Sequence, residues 1–126
     1  MAEEKNYENR IKGFLKDQGC WFLKYWSGQS MKGQKFTKDG IPDILCCCNG
    51  QFLGIEIKAT RGKPSALQLY NLRKIDEAGG KGILLYPDEW VLFQNLILCI
   101  KVGDEGNAER NYVLLKERWW SDATVT

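Results

Sequence analysis

An Asn-Gly pair at positions 49 and 50 separates two apolar, strand-like runs near 42–48 and 51–59. Asn-Gly is the strongest short-range signal for a two-residue hairpin turn. With those two residues as the loop, Cys48 faces Gln51, and each pair further out keeps the same register until Asp43 lies across from Glu56. Directly opposed residues have Cβ atoms about 4.5–5.5 Å apart. Two carboxylates about 5 Å apart repel by roughly 3 kcal/mol at an effective dielectric of about 20. A purely structural sheet gains nothing from that pair, whereas a divalent cation would bind it.

The whole chain sets further bounds. Its 126 residues, 44% apolar and 27% charged, suit one globular domain spanning 1–126 with a real core. No apolar run approaches the roughly 18 residues of a membrane-spanning helix. The start Met1-Ala2-Glu3-Glu4-Lys5 does not read as a signal peptide, so the expected compartment is the cytoplasm. There is no histidine, which excludes Ser-His-Asp and Cys-His catalysis and any imidazole-ligated metal. The five cysteines are odd in number and three are consecutive, Cys46 to Cys48. That run suits neither a disulfide framework nor the usual zinc spacing, and reads as small buried hydrophobes in a reducing compartment.

Net charge is only +2, yet residues 24 to 38 hold Lys24, Lys32, Lys35 and Lys38 without an acid, interleaved with Tyr25, Trp26 and Phe36. Lys58, Arg61 and Lys63 form a second basic patch. Basic and aromatic side chains together hold phosphates and stack on bases. A solvated loop has the same composition.

Periodicity orders the elements. Tyr7, Ile11, Phe14 and Leu15 make residues 4–18 an amphipathic helix ended by Gly19. Cys20 to Trp26 is strand-like, Ser27 to Gly40 a long loop, and the hairpin follows. Ser65 to Ala78 reads as a helix with Leu69, Leu72 and Ile75 on its buried stripe, stopped by Gly79-Gly80. Gly82 to Tyr86 is then a strand parallel to the one bearing Glu56. The fold class is α/β, a mixed sheet flanked by helices with an α-β-β-β-α-β core. Beyond Pro87 two readings stand: a helix from Asp88 to about Leu98, or a hairpin of 97–102 with 112–115 around Gly103 to Gly106. Trp119-Trp120 is expected to pack on the domain or on a partner.

On the second hairpin strand Ile55 and Ile57 face one side, Glu56 and Lys58 the other. Singly, Glu56–Lys58 is a surface ion pair and Asp43 a turn cap after Pro42. Jointly, they form a metal site on a rigid platform. Mg²⁺ takes oxygen ligands and keeps several waters, so two carboxylates and a substrate phosphate suffice. Lys58 is placed to orient a water or to stabilise charge on the phosphate.

Pro42-Asp43 followed by Glu56-Ile57-Lys58 resembles the PD-(D/E)xK nuclease motif. With Gly40-Ile41, Gly54-Ile55, Gly62-Lys63-Pro64-Ser65, Gln68 and Ala78-Gly79-Gly80, residues 4–87 resemble the VRR-NUC domain, especially small stand-alone phage versions. Residues 88–126 form a C-terminal extension outside that likeness. The resemblance implies a restriction-endonuclease-like fold and Mg²⁺- or Mn²⁺-dependent hydrolysis of DNA phosphodiesters, with no small-molecule cofactor and no membrane. It implies a structure-selective endonuclease on branched DNA such as four-way junctions, working as a homodimer, in the host cytoplasm if phage-encoded. It assigns catalysis to Glu8, Asp43, Glu56, Lys58 and Gln68, and metal binding to Glu8, Asp43, Glu56 and the Ile57 carbonyl. Ile11, Leu15 and Gly19 follow Glu8 in the family's rhythm, with Glu4 in reserve. Gln68 has a second role open to it, because Ser65-x-x-Gln68 is a capping box. Lys24, Lys35 and Lys63 are assigned to DNA phosphates. The competing functions are a flap, nick or duplex nuclease, a non-catalytic DNA-binding module of the same fold, and thiol chemistry through Cys46–Cys48.

Overall fold

The computed structural model describes residues 2–26 and 39–123, and residues 30–31 and 34–35 as backbone. The chain opens with α1 (Ala2–Asp17), then β1 (Trp21–Lys24) and two short strands, β2 (Ser30–Met31) and β3 (Gln34–Lys35), paired with each other. β4 (Ile44–Cys48), β5 (Gln51–Ile57), α2 (Ala66–Glu77) and β6 (Lys81–Leu85) follow. A 3₁₀ turn at Pro87–Glu89 leads into α3 (Trp90–Lys101) and α4 (Glu105–Glu117). The main sheet has the order β1-β4-β5-β6. Its first three strands are antiparallel neighbours, and β6 runs parallel to β5 after the α2 crossover. This is the expected mixed α/β architecture, consistent with a restriction-endonuclease-like fold.

The hairpin register is the one the turn predicts: Cys48 pairs with Gln51 and Ile44 with Ile55. Asn49 (φ 47°) and Gly50 (φ 80°) both occupy the left-handed region that a primed two-residue turn requires. Leu53 to Ile57 are all buried, because β5 is an inner strand covered on both faces. On one side Ile44, Ile55, Ile57 and Ile83 pack with Tyr7, Ile11 and Leu15 of α1 and Phe93, Leu96 and Ile97 of α3. On the other, Leu84 packs with Leu69 and Leu72 of α2 and with Trp119.

α2 lies very close to the sheet, and two glycines permit it. A Cβ at Gly54 would stand 2.6 Å from Ile75 Cδ1, and one at Gly82 would run into the Leu72 carbonyl. Leu72 is fully buried there, so its truncation to alanine costs about 2–5 kcal/mol.

The terminal hairpin reading is corrected. Residues 97–101 belong to α3, and 112–115 to α4. Ala108, Tyr112 and Leu115 recur at helical spacing and are buried, while Asp104 caps α4 by accepting from Asn107 N–H at 3.2 Å. The Tyr112 hydroxyl accepts from the Gly82 amide at 3.0 Å, satisfying a donor on edge strand β6. Trp119 is buried on the domain, as one reading expected. The cysteine run is mixed: Cys46 and Cys48 are buried but Cys47 is exposed, since neighbours on a strand face opposite sides.

Candidate active site

The predicted residues gather where β5 ends, β4 begins and two helices flank the sheet. Asp43 stands just before β4. Its Oδ2 accepts from the Ile57 amide at 2.8 Å, and its carbonyl accepts from Tyr25 N–H at 2.8 Å. These bonds extend the hairpin pairing past the last ladder residue and fix Asp43 against the end of β5.

Glu56 is only 2% exposed. Its Oε2 accepts from Gln68 Nε2 at 3.0 Å and lies 3.4 Å from Lys58 Nζ. Its Oε1 is buried and has no partner. Burial, and then the charge of Asp43, push its carboxyl up to about 8 against the opposing pull of Lys58. This is a buried acid beside a half-buried one, a pair short of positive charge.

Gln68 performs both roles open to it. Its Oε1 accepts from Ser65 N–H at 2.8 Å and its own amide N–H reaches Ser65 Oγ at 3.1 Å, completing the capping box. Its remaining Nε2 is free to point at Glu56. One amide thus locks the start of α2 and holds a carboxylate.

Glu8 lies on the α1 side of the sheet and is 5% exposed. Lys24 Nζ is 2.7 Å from its Oε1, with Lys12 at 3.2 Å and Lys5 at 3.4 Å from Oε2. Burial pushes this carboxyl up, but the three ammonium groups together hold it below the ordinary value. Lys24 also reaches Asp43 Oδ1 at 3.5 Å, so it bridges Glu8 to Asp43. Glu8 rather than Glu4 is therefore the glutamate linked to the pair. Among the described residues, no three acidic, cysteine or histidine side chains converge on one point, and Glu8 joins Asp43 only through Lys24.

Of the lysines assigned to phosphates, Lys24 is largely buried between carboxylates, Lys63 is exposed, and the side chain of Lys35 falls outside the described residues. Lys32, Phe36 and Lys38 also fall outside them. Trp26 is 58% exposed, with its ring centroid 5.3 Å from Lys24 Nζ. Two participants escape sequence reading. Lys12 clamps Glu8 at a visible i,i+4 spacing. Thr60 donates its amide (3.0 Å) and hydroxyl (2.6 Å) to Glu3, tying α1 to the segment after β5, and no local signal marks that contact.

The donor set fits a hard divalent cation: two facing carboxylates, one with a buried oxygen lacking any partner. The fold is consistent with a restriction-endonuclease-like architecture, and Asp43, Glu56 and Lys58 stand together at the end of β5 as the motif read from the sequence requires. The sequence profile of the archaeal Holliday junction resolvase family (Hjc) matches residues 2–86, and the chain belongs to that family. Comparison with curated proteins and with solved structures gives no match.

Proposed function

We propose that this protein is a divalent-metal-dependent endonuclease that hydrolyses phosphodiester bonds in branched DNA, four-way junctions foremost. The observation that carries the reading is the buried Glu56, with its partnerless Oε1, beside the half-buried Asp43, in a chain of the junction-resolvase family. Asp43, Glu56 and the Ile57 carbonyl would hold Mg²⁺ or Mn²⁺, with Glu8 completing the acidic set across Lys24. Such an ion, when bound, activates water and offsets charge on the attacked phosphate.

The chain's own residues do the rest. Lys58, beside Glu56, stabilises negative charge at the phosphate. Gln68 holds Glu56 in one rotamer from the rigid start of α2. The Ile57 amide does the same for Asp43. Lys35 and Lys63 contact DNA phosphates, Lys24 being engaged by Glu8 and Asp43, and exposed Trp26 offers a face for base stacking.

Within the superfamily, the wording around Asp43, Glu56 and Gln68 supports a likeness to the VRR-NUC type of small stand-alone phage nucleases, which would act in the host cytoplasm. A symmetric junction needs two sites across a two-fold axis, so the working form is a homodimer. Exposed Trp21, Leu23 and Phe52, on a sheet face that α2 leaves open, support a second copy as the partner.

Labelled four-way junction, flap, duplex and single-stranded DNAs, each with Mg²⁺, Mn²⁺ or EDTA, test this. Paired symmetric cuts in the junction with metal are expected. Equal cutting of flap and duplex would sink branch selectivity, and metal-supported binding without cleavage of any substrate would leave a DNA-binding module.

A further inference from the structure

At the opposite end of the β1–β4 ladder from the acidic site, two thiols meet. Trp21 pairs with Cys47, so one step outward Cys20 lies across from Cys48. Their Sγ atoms are 2.9 Å apart. Facing positions on antiparallel strands hold Cβ atoms at about 4.5–5.5 Å, close to the 3.5–4.5 Å of a disulfide, so only a small shift of the strand end is needed. Cys20 is half-buried and open to a small reagent, Cys48 is buried beneath it, and all five cysteines are free thiols. Cys46 faces the same side as Cys48, and exposed Cys47 the other.

We propose that Cys20 and Cys48 form an oxidation site, closing to a reversible disulfide when met by a low-molecular-weight disulfide such as oxidised glutathione. Cys20 Sγ attacks one sulfur of the reagent, releasing one thiol and leaving a mixed disulfide. Cys48 Sγ then attacks Cys20 Sγ and displaces the second thiol. The protein pair loses two hydrogens and two electrons, and the reagent gains them. The new bond closes a loop from 20 to 48 that contains Lys24 and Asp43. Lys24 lies four residues from Cys20 and Asp43 five from Cys48, roughly 13 to 17 Å at the rise of a β-strand. The bond therefore clamps the ladder without entering the acidic site, and it does not depend on the nuclease reading.

The test uses the full chain, incubated for hours with excess oxidised glutathione, because burial pushes both thiols above their ordinary range and slows exchange. Remaining thiols are then blocked with maleimide and the peptides mapped by mass spectrometry. A Cys20–Cys48 crosslinked peptide is expected, reversed by dithiothreitol, retained in Cys47→Ser and lost in Cys20→Ser. The thermal midpoint of the oxidised chain should rise by roughly 10 °C. Three results would overturn the proposal: both cysteines carrying maleimide, a stable glutathione adduct on Cys20, or a crosslink to Cys46 instead.

Discussion

Two glutamates lie on opposite sides of the sheet, each almost out of water, and their ionisation is pulled in opposite directions. Glu8 is 5% exposed and Glu56 2%, so burial alone does not separate them. Glu8 has three ammonium groups within 3.4 Å and is held below the ordinary carboxylate value. Glu56 has one lysine, one amide and a facing aspartate, and is pushed up to about 8. The α1 side of the site is electrostatically complete, whereas the α2 side lacks about one cation. An incomplete carboxylate pair on an otherwise well-packed strand is what the proposed cation would complete.

The largest effect should come from removing that incompleteness. Asp43→Asn or Glu56→Gln should lower cleavage by about 10³-fold or more while leaving DNA binding largely intact, read by single-turnover kinetics beside a gel-shift assay. EDTA should do the same reversibly, with Mg²⁺ or Mn²⁺ restoring the rate. Full cleavage by a clean Asp43→Asn preparation would break the metal reading.

Next in size is a contrast in stability between the two glutamates in EDTA. The folded carboxyl of Glu56 titrates near 8, above the ordinary 4.5, so the fold binds an extra proton between those values. Stability should therefore fall as pH rises from about 4.5 through 8. Glu56→Gln should abolish that fall and be more stable than wild type above pH 8, by a few kcal/mol in urea titrations. Glu8→Gln should act oppositely, costing roughly 2–3 kcal/mol, because it leaves the half-buried Lys24 with the more distant Asp43 as its remaining carboxylate. The same sign for both substitutions would erase the distinction.

Smaller effects sharpen it. Ser65→Ala removes the cap but leaves Gln68 facing Glu56, so it should cost about 1 kcal/mol of stability. Cleavage should hardly change, whereas Gln68→Ala should lose the same stability and also slow the reaction. Lys63→Ala should weaken DNA binding only a few-fold and reduce the salt dependence by about one counterion.

Much of this was legible in the sequence because short-range rules decide it. The Asn49-Gly50 turn sets the register, the register brings Asp43 to the end of β5 beside Glu56, and period-two alternation puts Lys58 beside Glu56. Ser65 and Gln68 carry their capping signature in four residues. What stayed hidden depends on long-range docking. Lys24 reads as one more basic residue before a loop, and only the β1–β4 pairing reveals that it bridges two acids. The hairpin alternative for 97–115 arose because α3 is buried against both sheet and α4, which fills its apolar run and blurs the helical period.

The close seating of α2 on Gly54 and Gly82 makes the reach of Gln68 to Glu56 a matter of layer spacing as well as side-chain chemistry. Alanine at position 82 would act as a wedge under Leu72, lifting the helix that carries Gln68 while altering neither hydrogen-bonding group. The tightness of this polar contact can therefore be tuned by a single methyl group at a residue that has no chemistry of its own.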